Sequence, residues 1–327
     1  MRIALRYSSY LLIFLTVWFL WPRELDGANG RLGEAVVPDY RMESSRYVSV
    51  RDGRREVEMY SKKSNFDFLA HEMDSTNVTI YFYSTQGDRT VVTSDRGLFY
   101  MNEKRFHLQD NVRSESPDGF VMTSAETNYL LPTKHLSSPT PVQGTMKDNS
   151  VKIWGDRAEG DMESKRMQLF GNARANYKEA KRGLTTIRGD MADMHRDEEK
   201  VEFFKNVEVN QEKTKGTSQK ATLYYAAPEK ALRYMSLQED VRLTEPNGKY
   251  TRSQVAEFFM PTDTIVLTGF PAVYDGDDAV TGDKITMYRT TGVVEVLSAN
   301  AASNQDHPAK KEGRQMKASK EDDELIP

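Results

Sequence analysis

The stretch IRGDMADMHRDEEKVEFFKNVEVNQ (Ile187–Gln211) carries the pattern that decides the fold. A Gly is followed by a polar residue and, two further on, by a small one; an apolar strand follows. A turn and a second strand then run on to FFKNV (Phe203–Val207). The same opening recurs as SDRG (Ser94–Gly97), SAET (Ser124–Thr127), GDRA (Gly155–Ala158), GDMA (Gly189–Ala192), SQKA (Ser218–Ala221), SQVA (Ser253–Ala256) and GDKI (Gly282–Ile285). From one opening residue to the next the steps are 30, 31, 34, 29, 35 and 29 residues. A period in this range marks stacked supersecondary units, none of which can bury its apolar face alone.

Two residues before the opening Ser or Gly the side chain is apolar at Val92, Met122, Ile153, Ile187 and Val280, with Gly216 and Thr251 as exceptions. Two residues after the small position it is apolar again at Phe99, Tyr129, Met194, Leu223, Phe258 and Met287, with Gly160 the exception. The first set lies at even offsets from the opening residue and the second at odd ones. A strand of period two keeps both sets on one face only if the chain slips by one residue between them. The reading is therefore a bulge or corner at the Gly-Asp or Ser-Gln pair, where small residues belong. A returning strand carries a second apolar set, including Leu108, Leu169, Leu237 and Leu267, and continues to a Val or Ala. Stacked, these bent hairpins form two facing antiparallel sheets with apolar inner walls.

Outside the repeats the chain divides simply. Tyr7–Trp21 runs without a charge behind Arg2 and Arg6. Those fifteen residues span about 22 Å as a helix, and counting from Ile3 with Arg6 snorkelling gives about 19 residues, enough to cross a bilayer. Tyr7, Tyr10, Trp18 and Trp21 sit where interfacial aromatics belong. A cleaved signal peptide is the rival reading, but WPRELDG offers no A-x-A site. The expectation is an anchor over residues 1–22 with its N-terminus in the cytoplasm, then a Gly- and Pro-containing linker over 23–39. Residues 303–327 lack aromatics and split into basic and acidic blocks, which reads as a disordered charged tail.

Composition narrows the function classes. A net charge of −4 with both signs interspersed offers no basic stripe for nucleic acid. The chain has no cysteine, which excludes disulfides and lipoprotein acylation. Its five histidines (His71, His107, His135, His195, His307) stand at no metal-ligand spacing. No nucleophile-elbow, phosphate-loop or dinucleotide motif is present. Asp95, Asp156, Asp190 and Asp283 recur once per repeat, so they read as corner residues in Asx-turns rather than as a catalytic pair. No cofactor is expected.

GDRAEGDMESKRMQLFGNARANY (Gly155–Tyr177), the Ile187–Gln211 stretch and LTGFPAVYDGDDAVTGDKITMYRTTGVVEV (Leu267–Val296) resemble the OstA-type repeats of the lipopolysaccharide-transport proteins LptC and LptA. Over 40–181, with the anchor, the chain is similar to LptC; over 182–302 it looks like LptA, so it resembles an LptC-type protein extended by an LptA-like segment. The resemblance implies an all-β fold, an elongated OstA-like β-jellyroll behind one transmembrane helix. It implies a non-enzymatic carrier of lipopolysaccharide in the periplasm, held at the inner membrane. An apolar groove would then include Phe99, Tyr129, Leu223, Phe258, Met260, Met287, Leu108, Leu169, Leu237 and Leu267.

Two other function classes stand beside this one: a β-scaffold that only assembles other proteins, and a β-solenoid hydrolase. The partners implied are lipopolysaccharide, an inner-membrane export ABC transporter with LptF/LptG-like subunits, LptA-like or LptD-like OstA-domain proteins, and self-association. The last repeat strand, with Val293, Val294 and Val296, is a poorly protected edge and a docking surface. The opposite end, around Tyr47–Tyr60, is the expected contact with the transporter.

Overall fold

The computed structural model describes residues 40–302 apart from 86, 180–182, 212–213, 227–230 and 246–247. The expected anchor, linker and tail lie outside the described residues. Residues from Tyr40 onward form a compact unit of their own. Its strands are β1 (Tyr40–Arg51), β2 (Arg54–Asp67), β3 (Glu72–Tyr83), β4 (Arg89–Tyr100), β5 (Arg105–Glu115), β6 (Phe120–Leu130), β7 (His135–Ser138), β8 (Val142–Met146), β9 (Val151–Gly155), β10 (Arg157–Asp161) and β11 (Arg166–Glu179). They continue as β12 (Gly183–His195), β13 (Lys200–Gln211), β14 (Thr214–Ala226), β15 (Ala231–Thr244), β16 (Tyr250–Phe259), β17 (Thr264–Thr268), β18 (Ala272–Asp275), β19 (Asp278–Thr281), β20 (Lys284–Tyr288), β21 (Val293–Leu297) and β22 (Asn300–Ala302).

All pairings are antiparallel, and the expected two facing sheets are one: a single 22-stranded sheet bent along its length. Each long strand passes through the bend and belongs to both walls, so no boundary separates them. The rim turns of wall A join β1 to β2, β3 to β4 and β5 to β6, and those of wall B join β2 to β3, β4 to β5 and β12 to β13. Where the bend is sharpest the strand breaks in two. Thus β6 pairs with β7 on wall B and with β8 on wall A, the break falling at Pro139–Pro141. Aromatic contacts show that the walls face each other: Phe82 of wall A meets Tyr129 of wall B at 4.0 Å between ring centres, and Tyr47 meets Phe99 at 4.8 Å.

The one-residue slip is present where expected, at the Gly-Asp or Ser-Gln pair: in β4 Val92 and Ser94 are buried, Asp95 and Arg96 are exposed, and Gly97 and Phe99 are buried again. What the sequence did not announce is a bulge in the strand facing that pair. There two successive residues are left-handed: Asp110–Asn111 in β5, Gly171–Asn172 in β11, Lys205–Asn206 in β13 and Glu239–Asp240 in β15. In register they stand against one residue of the following strand, as Gln109 and Val112 of β5 pair with Glu126 and Ser124 of β6. The opening residue has a different task. Ser94, Ser124 and Ser218 donate Oγ hydrogen bonds to the carbonyls of Arg96, Glu126 and Lys220 at 2.9–3.1 Å, filling acceptors that the bend leaves unpaired. At Gly282 a Cβ would lie 2.5 Å from the Leu297 carbonyl oxygen, so only glycine allows that approach.

Three of the four recurrent aspartates are structural, although not through Asx-turns. The carboxylates of Asp95, Asp156 and Asp190 accept from the side-chain amides of Asn111, Asn172 and Asn206 at 2.6, 2.8 and 3.0 Å. Each pair is sixteen residues apart and ties a left-handed Asn to the strand before it.

Candidate functional site: the inner face of wall B

Pairing register places the inward side chains of wall B in three rows that cross the strands. Beside the bend runs a row in which small and large residues alternate: Ala158, Leu169, Ala192, Phe203, Ala221, Leu237, Ala256 and Leu267 are successive partners. All are buried. The alternation is why the repeat needs a small residue at its third step: each Ala makes room for the Leu or Phe beside it, at interior packing density. Two residues further out runs the middle row, in which Phe99, Phe106, Tyr129 and Leu136 pair in turn and, further along, Val201, Leu223, Met235, Phe258, Ile265 and Met287 do the same.

The rim row comes last. Its members are the residues whose backbone N–H reaches the preceding hairpin of the same wall: Met101 to His71, Leu131 to Lys104, Met162 to Lys134, Arg196 to Lys165, Tyr225 to Glu199, Met260 to Arg233 at the start of β15, and Arg289 to Asp263, at 3.0–3.4 Å.

The ten expected groove residues all fall in these rows. Leu108, Leu169, Leu237 and Leu267 are in the row beside the bend, Phe99, Tyr129, Leu223, Phe258 and Met287 in the middle row, and Met260 on the rim. Nine are buried in the continuous core, and Met287 is half-buried against it. The walls are packed against each other over most of this face. Burial pushes the Tyr129 phenol above its ordinary range. Of the expected docking residues, Val293 is exposed, Val294 is half-buried and Val296 is buried against the core; Leu297, overlooked in the sequence, is exposed beside them.

Packing gives way in mid-chain. Two cavities of about 200 Å³ each lie between the walls there. The first reaches Phe82, Tyr129, Gly160 and Met167; the second reaches Ile153, Leu169, Tyr177, Met194 and Val201. The middle row is thinnest here, where Leu136 is followed by Gly160, Met167 and Met194. Gly160, the exception in the apolar set that follows the small position, lines the first cavity.

Phe120 and Arg196 line both cavities. The mouth of the first is ringed by ion pairs between neighbouring wall B turns, Lys134–Glu163 at 3.1 Å and Lys165–Asp197 at 3.2 Å. The Arg196 guanidinium crosses the seam to the Asp118 carboxylate on wall A. None of this was legible in the sequence, because 78 residues separate the partners.

The bent sheet thus has an apolar inner face, opened by cavities and rimmed by paired charges. Comparison with known families supplies its class. Residues 9–179, 171 of the 327, match the family described as lipopolysaccharide-assembly, LptC-related, and the chain belongs to that family. Residues 186–293 match a second description, LptA/(LptD N-terminal domain) LPS transport protein. A comparison with curated proteins returns no match.

Among solved structures, LptH of Pseudomonas aeruginosa, described as the LptA homologous periplasmic component of the conserved lipopolysaccharide transport device, is 14% identical. The match covers 40% of this chain and 90% of that one at a TM-score of 0.32, and nothing further rests on it. The chain is thus a non-enzymatic component of the periplasmic bridge for lipopolysaccharide, with lipopolysaccharide and other bridge proteins as its partners.

Proposed function

We propose that this chain combines the work of the two matched families: it accepts lipopolysaccharide from the inner-membrane transporter and carries it along wall B towards an LptA-like or LptD-like partner. One observation supports this above the others. The first family match ends at residue 179 and the second begins at 186, yet β11 and β12 pair across that boundary from Arg166–His195 to Glu179–Gly183. The inner rows continue through it. Cargo that reaches the LptC-related part meets the same apolar surface in the LptA-like part, with no junction between proteins to cross. Residues 40–181 and 182–302 are then two functional segments of one sheet.

The lining matters because exposing acyl chains to water costs about 0.8 kcal/mol per CH₂, prohibitive for several chains at once. Residues 1–22 serve as an uncleaved inner-membrane anchor with a cytoplasmic N-terminus. The edge of β1 that no other described strand pairs meets LptF/LptG-like subunits, and the corresponding edges of β21 and β22 meet the next OstA-like domain or a second copy. A photoreactive residue at Phe99, Tyr129, Leu223, Phe258 or Met287 should capture lipopolysaccharide in living cells. The exposed outer positions Arg96 and Lys284 should capture none. Equal labelling of both sets would refute transport along the inner face.

A further inference from the structure

Arg196 occupies a rim position that is otherwise apolar along much of wall B. At the equivalent positions stand Met101, Leu131, Met162, Tyr225 and Met260, and at the last of them Arg289, whose guanidinium reaches the neutral amide oxygen of Gln211 at 3.5 Å rather than a carboxylate. Arg196 does reach a carboxylate: its guanidinium pairs with Asp118, donates to Ser116 Oγ at 3.4 Å and lies 6.0 Å from the centre of the Phe120 ring. Asp118 is itself held in place, accepting the Phe120 backbone N–H at 3.2 Å. Pair and ring together stand where the two cavities meet.

We propose that the second cavity is a holding site for one acyl-chain segment of an anionic amphiphile, and that Arg196, Asp118 and Phe120 form the gate that closes it. The proposal rests on the carrier reading above. The cavity suits that occupant: Ile153, Leu169, Ala175, Val201 and Phe203 line it, and its charged groups are Asp118, Arg174, Arg196 and Glu199. At about 200 Å³ it exceeds the roughly 150 Å³ engineered cavity that stays dry and binds benzene. It is too small for several chains, so cargo would occupy it one chain at a time.

The gate suits its task as well. Side-chain exposures of 26% and 37% leave the Arg196–Asp118 pair partly in water, where ion pairs hold weakly and exchange partners readily. The site also falls where the two family matches meet: Leu169 and Tyr177 come from the first, Met194 and Val201 from the second.

The chain contains no cysteine, so Asp118→Cys with Arg196→Cys in the full-length protein creates the only two thiols. A short bismaleimide then locks the seam in living cells. Photoreactive residues at Tyr129, in the first cavity, and at Tyr177, in the second, report lipopolysaccharide on each side. Without the bridge, which also controls for folding, both positions should be labelled. With it, Tyr129 should keep its label and Tyr177 should lose most of its own. Undiminished labelling at Tyr177 in the locked chain overturns the gate. Absence of lipid at both positions in the unlocked chain overturns the carrier reading, and the gate with it.

Discussion

Replacing Asn206 separates the two physical roles assigned to the bend. Its backbone is left-handed, with φ 49° behind Lys205 at 60°, and its side-chain amide donates to Asp190 at 3.0 Å. Left-handed backbone costs an ordinary L-residue about 1–2 kcal/mol, less for Asn. The hydrogen bond is exposed, so its share is below about 1 kcal/mol despite the charged acceptor. Asn206→Ala loses both and should destabilise the bend by about 1–2 kcal/mol. Asn206→Gly loses only the hydrogen bond and regains backbone freedom, so it should fall within about 0.5 kcal/mol of the native chain.

In a stack of nearest-neighbour units the loss appears as local opening. Hydrogen exchange of peptides spanning Gly189–Met191 and Phe204–Val207 should accelerate about 5–30-fold in the alanine variant and little in the glycine variant. Asp190→Ala should match Asn206→Gly. Equal acceleration by alanine and glycine would show that the left-handed pair carries no strain, and the account of the bend would fail.

Two further outcomes follow from the ends of the sheet. On the outer face of wall A, Glu58 accepts from Tyr60, Arg46 and Tyr83 at 2.6, 2.7 and 3.0 Å, and these bonds, led by that of Tyr60, hold its carboxyl down to about 2 from an ordinary 4.5. Because the folded value lies below the unfolded one, its contribution is complete above about pH 4.5 and is lost as pH falls towards 2. Exchange protection of β1–β3 should therefore decline across that window in the native chain; in Glu58→Gln it should start lower and lack that decline. At the other end, Val293→Lys with Leu297→Lys charges the exposed face of β21 and leaves the inward Val294 and Val296 in place. End-to-end association seen by light scattering should disappear, and unchanged association would remove the C-terminal edge as the junction.

Much of this fold could be read from residue types because a repeat states each requirement several times. The even and odd apolar sets demanded a slip, and a slip is there. The bulge in the facing strand was missed because Gly and Ser are the usual markers of irregular backbone, whereas Lys205 and Glu239 are not. The constant sixteen-residue step from Asp95 to Asn111, Asp156 to Asn172 and Asp190 to Asn206 is the signal that would have located it. Leu108, Leu169, Leu237 and Leu267 were legible as one inner set because register follows from period. That the inner face would be largely packed was not legible, since it depends on how closely two walls approach. Nor was the Arg196–Asp118 pair, which joins turns of different walls.

Regularity also bears on direction. The wall B turns repeat one geometry: His71, Lys104, Lys134, Lys165, Glu199 and Asp263 are all left-handed, and each of their carbonyls accepts a backbone N–H from the next turn. Wall B is therefore a rail whose inner chemistry returns about every thirty residues. On the proposed carrier reading, an acyl chain moving from one repeat to the next exchanges Leu, Phe and Met for similar side chains, so its free energy changes little at each step. A ligand bound equally well in successive positions has no preferred direction. The rail can lower the cost of transit, but it cannot decide which way cargo moves. Among the described residues the departures from uniformity include the thin row at Gly160 and the arginines at rim positions 196 and 289, and the proposed gate puts retention at Gly160 and Arg196. Net movement must come from the end at which lipid is loaded against its own affinity for a membrane.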